Sequence, residues 1–211
     1  MDLKLNSNYF GKNKARNGGA LYFGKEQKAN TIYENKEIII ENNQFYENYA
    51  QMFGGAIYSE YTDIYLAKTK DNIVSYNTAG IMGAGIYLSD PFDNKMINIK
   101  GFKFENNTVN SAIDNYTTKP VYISLNTTLS SNSKKINMGD YLPLTIALRD
   151  EYGNVIMDIT KHYSMIGVKL KIKLQSNDSK NKTNNNIDNY YLSGNVCTFI
   201  NGKNMHLSNN T

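Results

Sequence analysis

The groups in this chain that could carry acid–base, nucleophilic or metal chemistry are spaced badly for all of it. Cleavage of a glycosidic bond needs two carboxyl groups about 5–10 Å apart. The carboxylates Asp63, Asp71, Asp90 and Asp93 are instead scattered, with no Asp-Asp or Asp-x-Asp pair, and Asp90-Pro91-Phe92-Asp93 reads as a turn. Only Arg16, near the start, and Arg149, far along the chain, could act as an arginine base. His162 and His206 are far apart and lack cysteine or carboxylate neighbours at ligand spacing. The lone Cys197 excludes an intrachain disulfide and a cysteine-based metal cluster. Gly19-Ala20-Leu21-Tyr22-Phe23-Gly24-Lys25 approaches a phosphate-binding loop, but Glu26 stands where a serine or threonine must reach magnesium. No residue is therefore assigned as catalytic, cofactor-binding or metal-ligating.

What must be positioned is a set of strands. In 211 residues, 40% are apolar and 12% aromatic, enough for one elongated domain or two small ones. Tyrosine (17) outnumbers phenylalanine (8), tryptophan is absent, proline occurs three times, and asparagine is the commonest residue. Aromatic and β-branched residues suit pleated surfaces, and asparagine tolerates left-handed turns. The net charge of +4 comes from dispersed lysines, without the basic block of a nucleic-acid reader. In Val168-Lys169-Leu170-Lys171-Ile172-Lys173-Leu174 the lysines alternate onto one solvated strand face. No apolar run approaches the ~18 residues of a membrane span, and Met1 to Leu5 lacks the apolar core of a signal peptide.

A repeat organises the first half. Phe10-Gly11-Lys12-Asn13-Lys14-Ala15 is followed by Asn17-Gly18-Gly19-Ala20-Leu21-Tyr22. The pattern returns as Phe45-Tyr46-Glu47-Asn48-Tyr49-Ala50 with Phe53-Gly54-Gly55-Ala56-Ile57-Tyr58. It returns again as Val74-Ser75-Tyr76-Asn77-Thr78-Ala79 with Met82-Gly83-Ala84-Gly85-Ile86-Tyr87. A worn copy, Phe104-Glu105-Asn106-Asn107-Thr108-Val109, has no double glycine after it. The asparagines at 13, 48, 77 and 107 are separated by 35, 29 and 30 residues, which suits a coil of three short strands and three turns.

Stacked coils lie ~4.8 Å apart, so equivalent side chains form ladders. Phe10, Phe45, Val74 and Phe104 are expected to make an apolar ladder inside the stack. Asn13, Asn48, Asn77 and Asn107 are expected to make an amide ladder at the next corner, each side chain both donating and accepting. Ala15, Ala50, Ala79 and Val109 suit a tight bend. Gly18, Gly19, Gly54, Gly55 and Gly83 suit a turn needing φ > 0 or close backbone approach. Glu37 to Ile40, Ile64 to Leu66 and Met96 to Ile99 are expected to supply the remaining strand of each coil, and residues 24–36 a protruding loop. Tyr22, Tyr58 and Tyr87 recur at one coil position and offer an aromatic stripe for glycans or another protein; half-buried ladder residues are the plainer reading.

These motifs resemble the repeat of the chlamydial polymorphic outer-membrane proteins, F-x-x-N with a nearby Gly-Gly-Ala-Ile/Leu, over residues 5–125. Similar repeats occur in large surface proteins of ciliates. The resemblance implies a pectin-lyase-like, right-handed parallel β-helix, here of about four coils, exposed on the cell exterior and contributing to adhesion. Enzymes of that fold cleave acidic polysaccharides with aspartate pairs, or with calcium-binding aspartates and a basic residue. A polysaccharide-binding or polysaccharide-cleaving role is thus the alternative to a non-catalytic structural or adhesive module.

Past Pro120 the pattern changes. Tyr141 to Leu148, an Asp150-x-x-Gly153-Asn154 turn and Val155-Ile156 look like the opening of an immunoglobulin-like module, with further strands at Val168 to Leu174 and Tyr190 to Ile200. The expected division is a repeat region at 1–125 and an immunoglobulin-like β region at 126–211, whose polar loop 175–189 reads as mobile. The chain opens inside the array and stops at Thr211 without a closing element, so a fragment of a larger surface protein is expected, with other segments of that protein as partners. Asn106, Asn115, Asn126, Asn177, Asn181 and Asn209 stand in N-x-S/T sequons and are glycosylation acceptors if the chain is exported by a eukaryotic secretory route.

Overall fold

The structure, a computed structural model, describes residues 2–25, 37–91, 95–127, 144–163, 168–171 and 191–194. Among them there is no α-helix, and the chain is built from strands of two to six residues. The first coil holds β1 (Leu3–Asn6), β2 (Tyr9–Gly11), β3 (Lys14–Ala15) and β4 (Leu21–Phe23). The second repeats the order with β5 (Ile38–Glu41), β6 (Gln44–Tyr46), β7 (Tyr49–Ala50) and β8 (Ile57–Ser59). The third has β9 (Lys68–Lys70), β10 (Asn72–Ser75), β11 (Thr78–Ala79) and β12 (Ile86–Leu88). The fourth has β13 (Phe102–Glu105), β14 (Thr108–Val109), β15 (Ala112–Ile113) and β16 (Tyr116–Thr118). Equivalent strands pair side by side, giving sheets β1-β5-β9, β2-β6-β10-β13, β3-β7-β11-β14-β15 and β4-β8-β12-β16. Every pair in them is parallel except β14 with β15.

Parallel strands in equal register put like residues over like. Phe10 pairs with Phe45, Phe45 with Val74, and Val74 with Phe104. The Phe10 and Phe45 rings stack at 5.0 Å and 7°. Ile38, Ile40, Phe45, Ile57, Val74 and Ile86 are buried in one continuous core. At the next corner Lys12, Glu47, Tyr76 and Asn106 all adopt positive φ, between 51° and 59°. L-residues adopt that conformation at a cost of roughly 1–2 kcal/mol each, and the asparagine that follows offsets it with hydrogen bonds to the next coil. Asn13 Nδ2 donates to Asn48 Oδ1 (2.9 Å), Asn48 to Asn77 (2.9 Å) and Asn77 to Asn107 (2.9 Å).

A second amide ladder stands one corner earlier. Asn8 Nδ2 donates to Asn43 Oδ1 and Asn43 Nδ2 to Asn72 Oδ1, again after residues of positive φ, Ser7, Asn42 and Asp71. Each of its asparagines precedes the ladder phenylalanine or valine by two positions. The full motif is therefore N-x-F-x-x-N.

Two expectations about strands are corrected. Ile64 to Leu66 lies in a 3-10 turn, Thr62–Leu66, and the third coil takes its strand from Lys68–Lys70 instead. Met96 to Ile99 is no strand either: a 3-10 turn, Ile99–Gly101, leads into β13. In the first turn Ile64 is buried while Leu66 is exposed, which no strand alternation would provide.

Beyond the stack, β17 (Tyr122–Thr127) pairs antiparallel with β18 (Leu144–Arg149), and β19 (Val168–Lys171) with β20 (Tyr191–Gly194). Strand β17 runs across residue 125. The turn after β18 is tied to the fourth coil by Asp150, whose buried carboxylate accepts from Thr117 Oγ1, Thr118 N, Asn154 N and Asn154 Nδ2. Gly153, at φ +81°, lets the turn close on Asp150 O. The Tyr152 ring meets Tyr116 edge-on at 5.1 Å, and its hydroxyl donates to Ile97 O. The loop 26–36 and the segment 175–189 lie outside the described residues.

Candidate functional site

The glycine turns set the tyrosine column. Gly18, Gly54 and Gly83 have φ of +62°, +68° and +64°. A Cβ at Gly19 would lie 2.1 Å from Gly55 O, and one at Gly55 would lie 2.2 Å from Ala84 O, so backbone occupies the space a side chain would need. In the third coil this position holds Ala84, where the fourth coil turns back as β15 instead of forming a double-glycine turn. The strand after each turn carries Tyr22, Tyr58 and Tyr87 in parallel register. Their rings stack, Tyr22 on Tyr58 at 5.2 Å and Tyr58 on Tyr87 at 5.8 Å.

As a binding stripe, however, the column is mostly covered. Tyr22 is 54% exposed, but Tyr58 and Tyr87 are 6% and 4% exposed, because Leu148 and Ile156 pack over them beside Met82. Burial pushes the Tyr58 phenol up to about 12 and raises that of Tyr87 further; the Tyr58 hydroxyl donates to Glu60 at 2.9 Å. The ladder reading therefore describes Tyr58 and Tyr87.

Exposed aromatic surface lies elsewhere, around the outward side of β2, β6 and β10. Tyr9 is 63% exposed and Tyr76 50%, and Tyr46 meets Tyr76 edge-on at 5.7 Å. The ring of Tyr9 occupies the space where a Cβ at Gly11 would stand, so it lies against the strand. At the borders of this face Lys12 pairs with Glu47 (3.6 Å) and Lys103 with Glu105 (2.7 Å). The signal for it was a tyrosine one residue before Phe10, one after Phe45 and two after Val74, a position that drifts by coil.

At the far end of the stack a cleft of about 330 Å³ opens between the fourth coil and residues 154–159. Met82, Ile113, Asp114, Asn115, Ile156 and Met157 line it. Asp114 stands in place of the missing fourth double-glycine turn: its Oδ2 accepts from Gly83 N at 2.8 Å, where Gly54 N in the coil below is bound by Met82 O. Burial raises its carboxyl above the ordinary 3.8, the Gly83 N–H opposes that, and the Asp150 charge adds to it.

Of the carboxylates weighed from sequence, Asp63, Asp71 and Asp90 do not line this cleft. Asp71 sits at a positive-φ corner and Asp63 in the first 3-10 turn. Asp90 pairs with Lys119 at 2.6 Å, whose hydrogen bond lowers its pKa, and Asp93 lies outside the described residues. Arg149 is engaged with Ser124 Oγ and Gly153 O, and the exposed His162 meets the Phe53 ring edge-on at 5.4 Å. Among the described residues no group of three histidine, cysteine or acidic side chains could hold a metal. Of the sequons, Asn106 is exposed at a corner, while Asn115 is half-buried and accepts from Asn107 Nδ2. Asn126 is on β17, and Asn177, Asn181 and Asn209 lie outside the described residues. Among the described residues no helix is long and apolar enough to cross a membrane. Compared with family models, curated proteins and solved structures, the chain matches none.

Proposed function

We propose that the chain is a non-catalytic structural and adhesive module of an extracellular or cell-surface protein, one segment of a larger repeat protein. In this reading residues up to about 125 form a right-handed parallel β-helix of about four coils, and the antiparallel pairs β17–β18 and β19–β20 begin an immunoglobulin-like β region. The observation that carries it is the use of polar residue types for architecture: the asparagine amides hold one coil to the next, and the buried Asp150 carboxylate ties the turn after β18 to the fourth coil. The resemblance to the polymorphic outer-membrane repeat supports a surface role by analogy. The exposed rings of Tyr9, Tyr22 and Tyr76 supply contact area for glycans or proteins, since tyrosine combines an apolar ring with a hydrogen-bonding tip.

Two assays test this. The full chain incubated with acidic and neutral polysaccharides, with and without Ca²⁺, should release no reducing ends and no unsaturated product. Turnover abolished by Asp63→Asn, Asp71→Asn, Asp90→Asn or Asp93→Asn would replace the adhesive reading with a polysaccharide-cleaving one. Beads coated with the chain should be retained on glycan arrays or cell surfaces, and Tyr9→Ala with Tyr76→Ala should reduce retention several-fold.

A further inference from the structure

We infer that the cleft between the fourth coil and residues 154–159 binds a small organic cation with an apolar body, the ammonium group seated on Asp114. A volume of about 330 Å³ is within the range of small-molecule pockets. Its walls divide by chemistry. Met82, Val109, Ile113, Ile156 and Met157 offer apolar, partly polarisable surface. The neutral polar groups are already engaged: Asn115 Oδ1 accepts from Asn107, Thr117 Oγ1 donates to Asp150, and Asn154 Nδ2 donates to Asp150 and Tyr116 O.

Asp114 is the exception. Among the described residues its carboxylate receives one hydrogen bond, from Gly83 N, and no lysine or arginine forms an ion pair with it. An ionised carboxylate has about four acceptor positions, so most of this one faces the cleft or water. The ligand that complements such a site carries positive charge at one end and carbon elsewhere. A metal ion fits poorly, because calcium takes six to eight oxygens and one carboxylate with no second acid in the lining leaves most of them to water. The negative charge of Asp150, near enough to act on the Asp114 carboxyl, favours a cation at the same place.

The test uses the full chain labelled with ¹³C at the methionine methyls. Choline is the probe, and 3,3-dimethyl-1-butanol, of the same shape without the charge, is its control. Choline should shift the methyls of Met82 and Met157 along a saturable curve and leave those of Met52 and Met96 in place. The neutral alcohol should bind at least about tenfold more weakly, because it lacks the positive charge that a carboxylate in a partly buried site attracts. Asp114→Asn, which keeps an oxygen for Gly83 N, should weaken choline by a similar factor. Equal response to the two probes, no saturable shift of Met82 and Met157, or full choline affinity in Asp114→Asn would each overturn the inference. If the variant fails to fold, the comparison of the two probes on the native chain decides alone.

Discussion

At Asn48 all four side-chain hydrogen-bonding positions are filled by other coils. Oδ1 accepts from Asn13 N and Asn13 Nδ2, and Nδ2 donates to Asn77 Oδ1 and Phe10 O. Leucine has similar volume but would leave those partners unpaired inside the stack. We expect Asn48→Leu to lower stability by ~1–3 kcal/mol in urea unfolding; an unchanged midpoint would remove the amide ladder from the list of stabilising features. Asp114 is the opposite case. Its pKa is raised in the folded chain, so the folded state binds the proton more tightly than the unfolded one. Its contribution is most favourable below the ordinary value near 3.8 and is lost as pH rises through the raised value. Asp114→Asn should therefore raise the melting midpoint at about pH 7 and lose that advantage below about pH 4. Thermal melts across pH measure this, and a variant less stable at neutral pH would show that the carboxylate stabilises the turn. A carboxylate kept at a cost to stability is what a binding role predicts.

At the scale of strands and turns, the spacing between coils is fixed where backbone passes closest. A Cβ at Gly55 would stand 2.2 Å from Ala84 O and 2.7 Å from Thr78 O, and backbone cannot yield as a flexible side chain can. Gly55→Ala should cost ~1–3 kcal/mol through overpacking, more than Ala84→Gly at the equivalent place one coil on; paired denaturation curves give the ranking. These positions were legible in the sequence because the first two coils carry the same glycine pair, Gly18-Gly19 and Gly54-Gly55, for the same steric reason. Asn8, Asn43 and Asn72 were harder to see, since the fourth coil has Phe102 in that position and asparagine is abundant throughout. The 3-10 turn at Thr62–Leu66 was not legible, because a short apolar run such as Ile64-Tyr65-Leu66 has no period that separates strand from turn.

For the molecule as a whole, the stack and the segment after it share a core. Leu148 and Ile156 are buried against Tyr58, Met82 and Tyr87, and Asp150 fastens the turn between them to Thr117 and Thr118. Sequence repeats reveal contacts between equivalent positions, but Asp150 belongs to no repeat and meets residues more than thirty positions earlier, so neither this contact nor the cleft beside it left a periodic trace. Removing the Asp150 carboxylate leaves Thr118 N, Asn154 N and two side-chain donors without their acceptor in a buried place. We expect Asp150→Ala to cost at least ~3 kcal/mol, because each bond to a charged group contributes roughly 1.5–3. The loss should fall on the seating of residues 144–163, since the ladders of the first three coils do not involve Asp150. Tyrosine nitration mapped by mass spectrometry resolves the two parts. In the native chain Tyr9, Tyr22 and Tyr76 should react while Tyr58 and Tyr87, covered and with raised phenol pKa values, stay protected. In Asp150→Ala, Tyr58 and Tyr87 should become reactive while amide exchange at Phe45 and Asn77 stays slow. Continued protection of both tyrosines in a folded Asp150→Ala chain would mean that apolar packing by Leu148 and Ile156 seats the segment without the carboxylate.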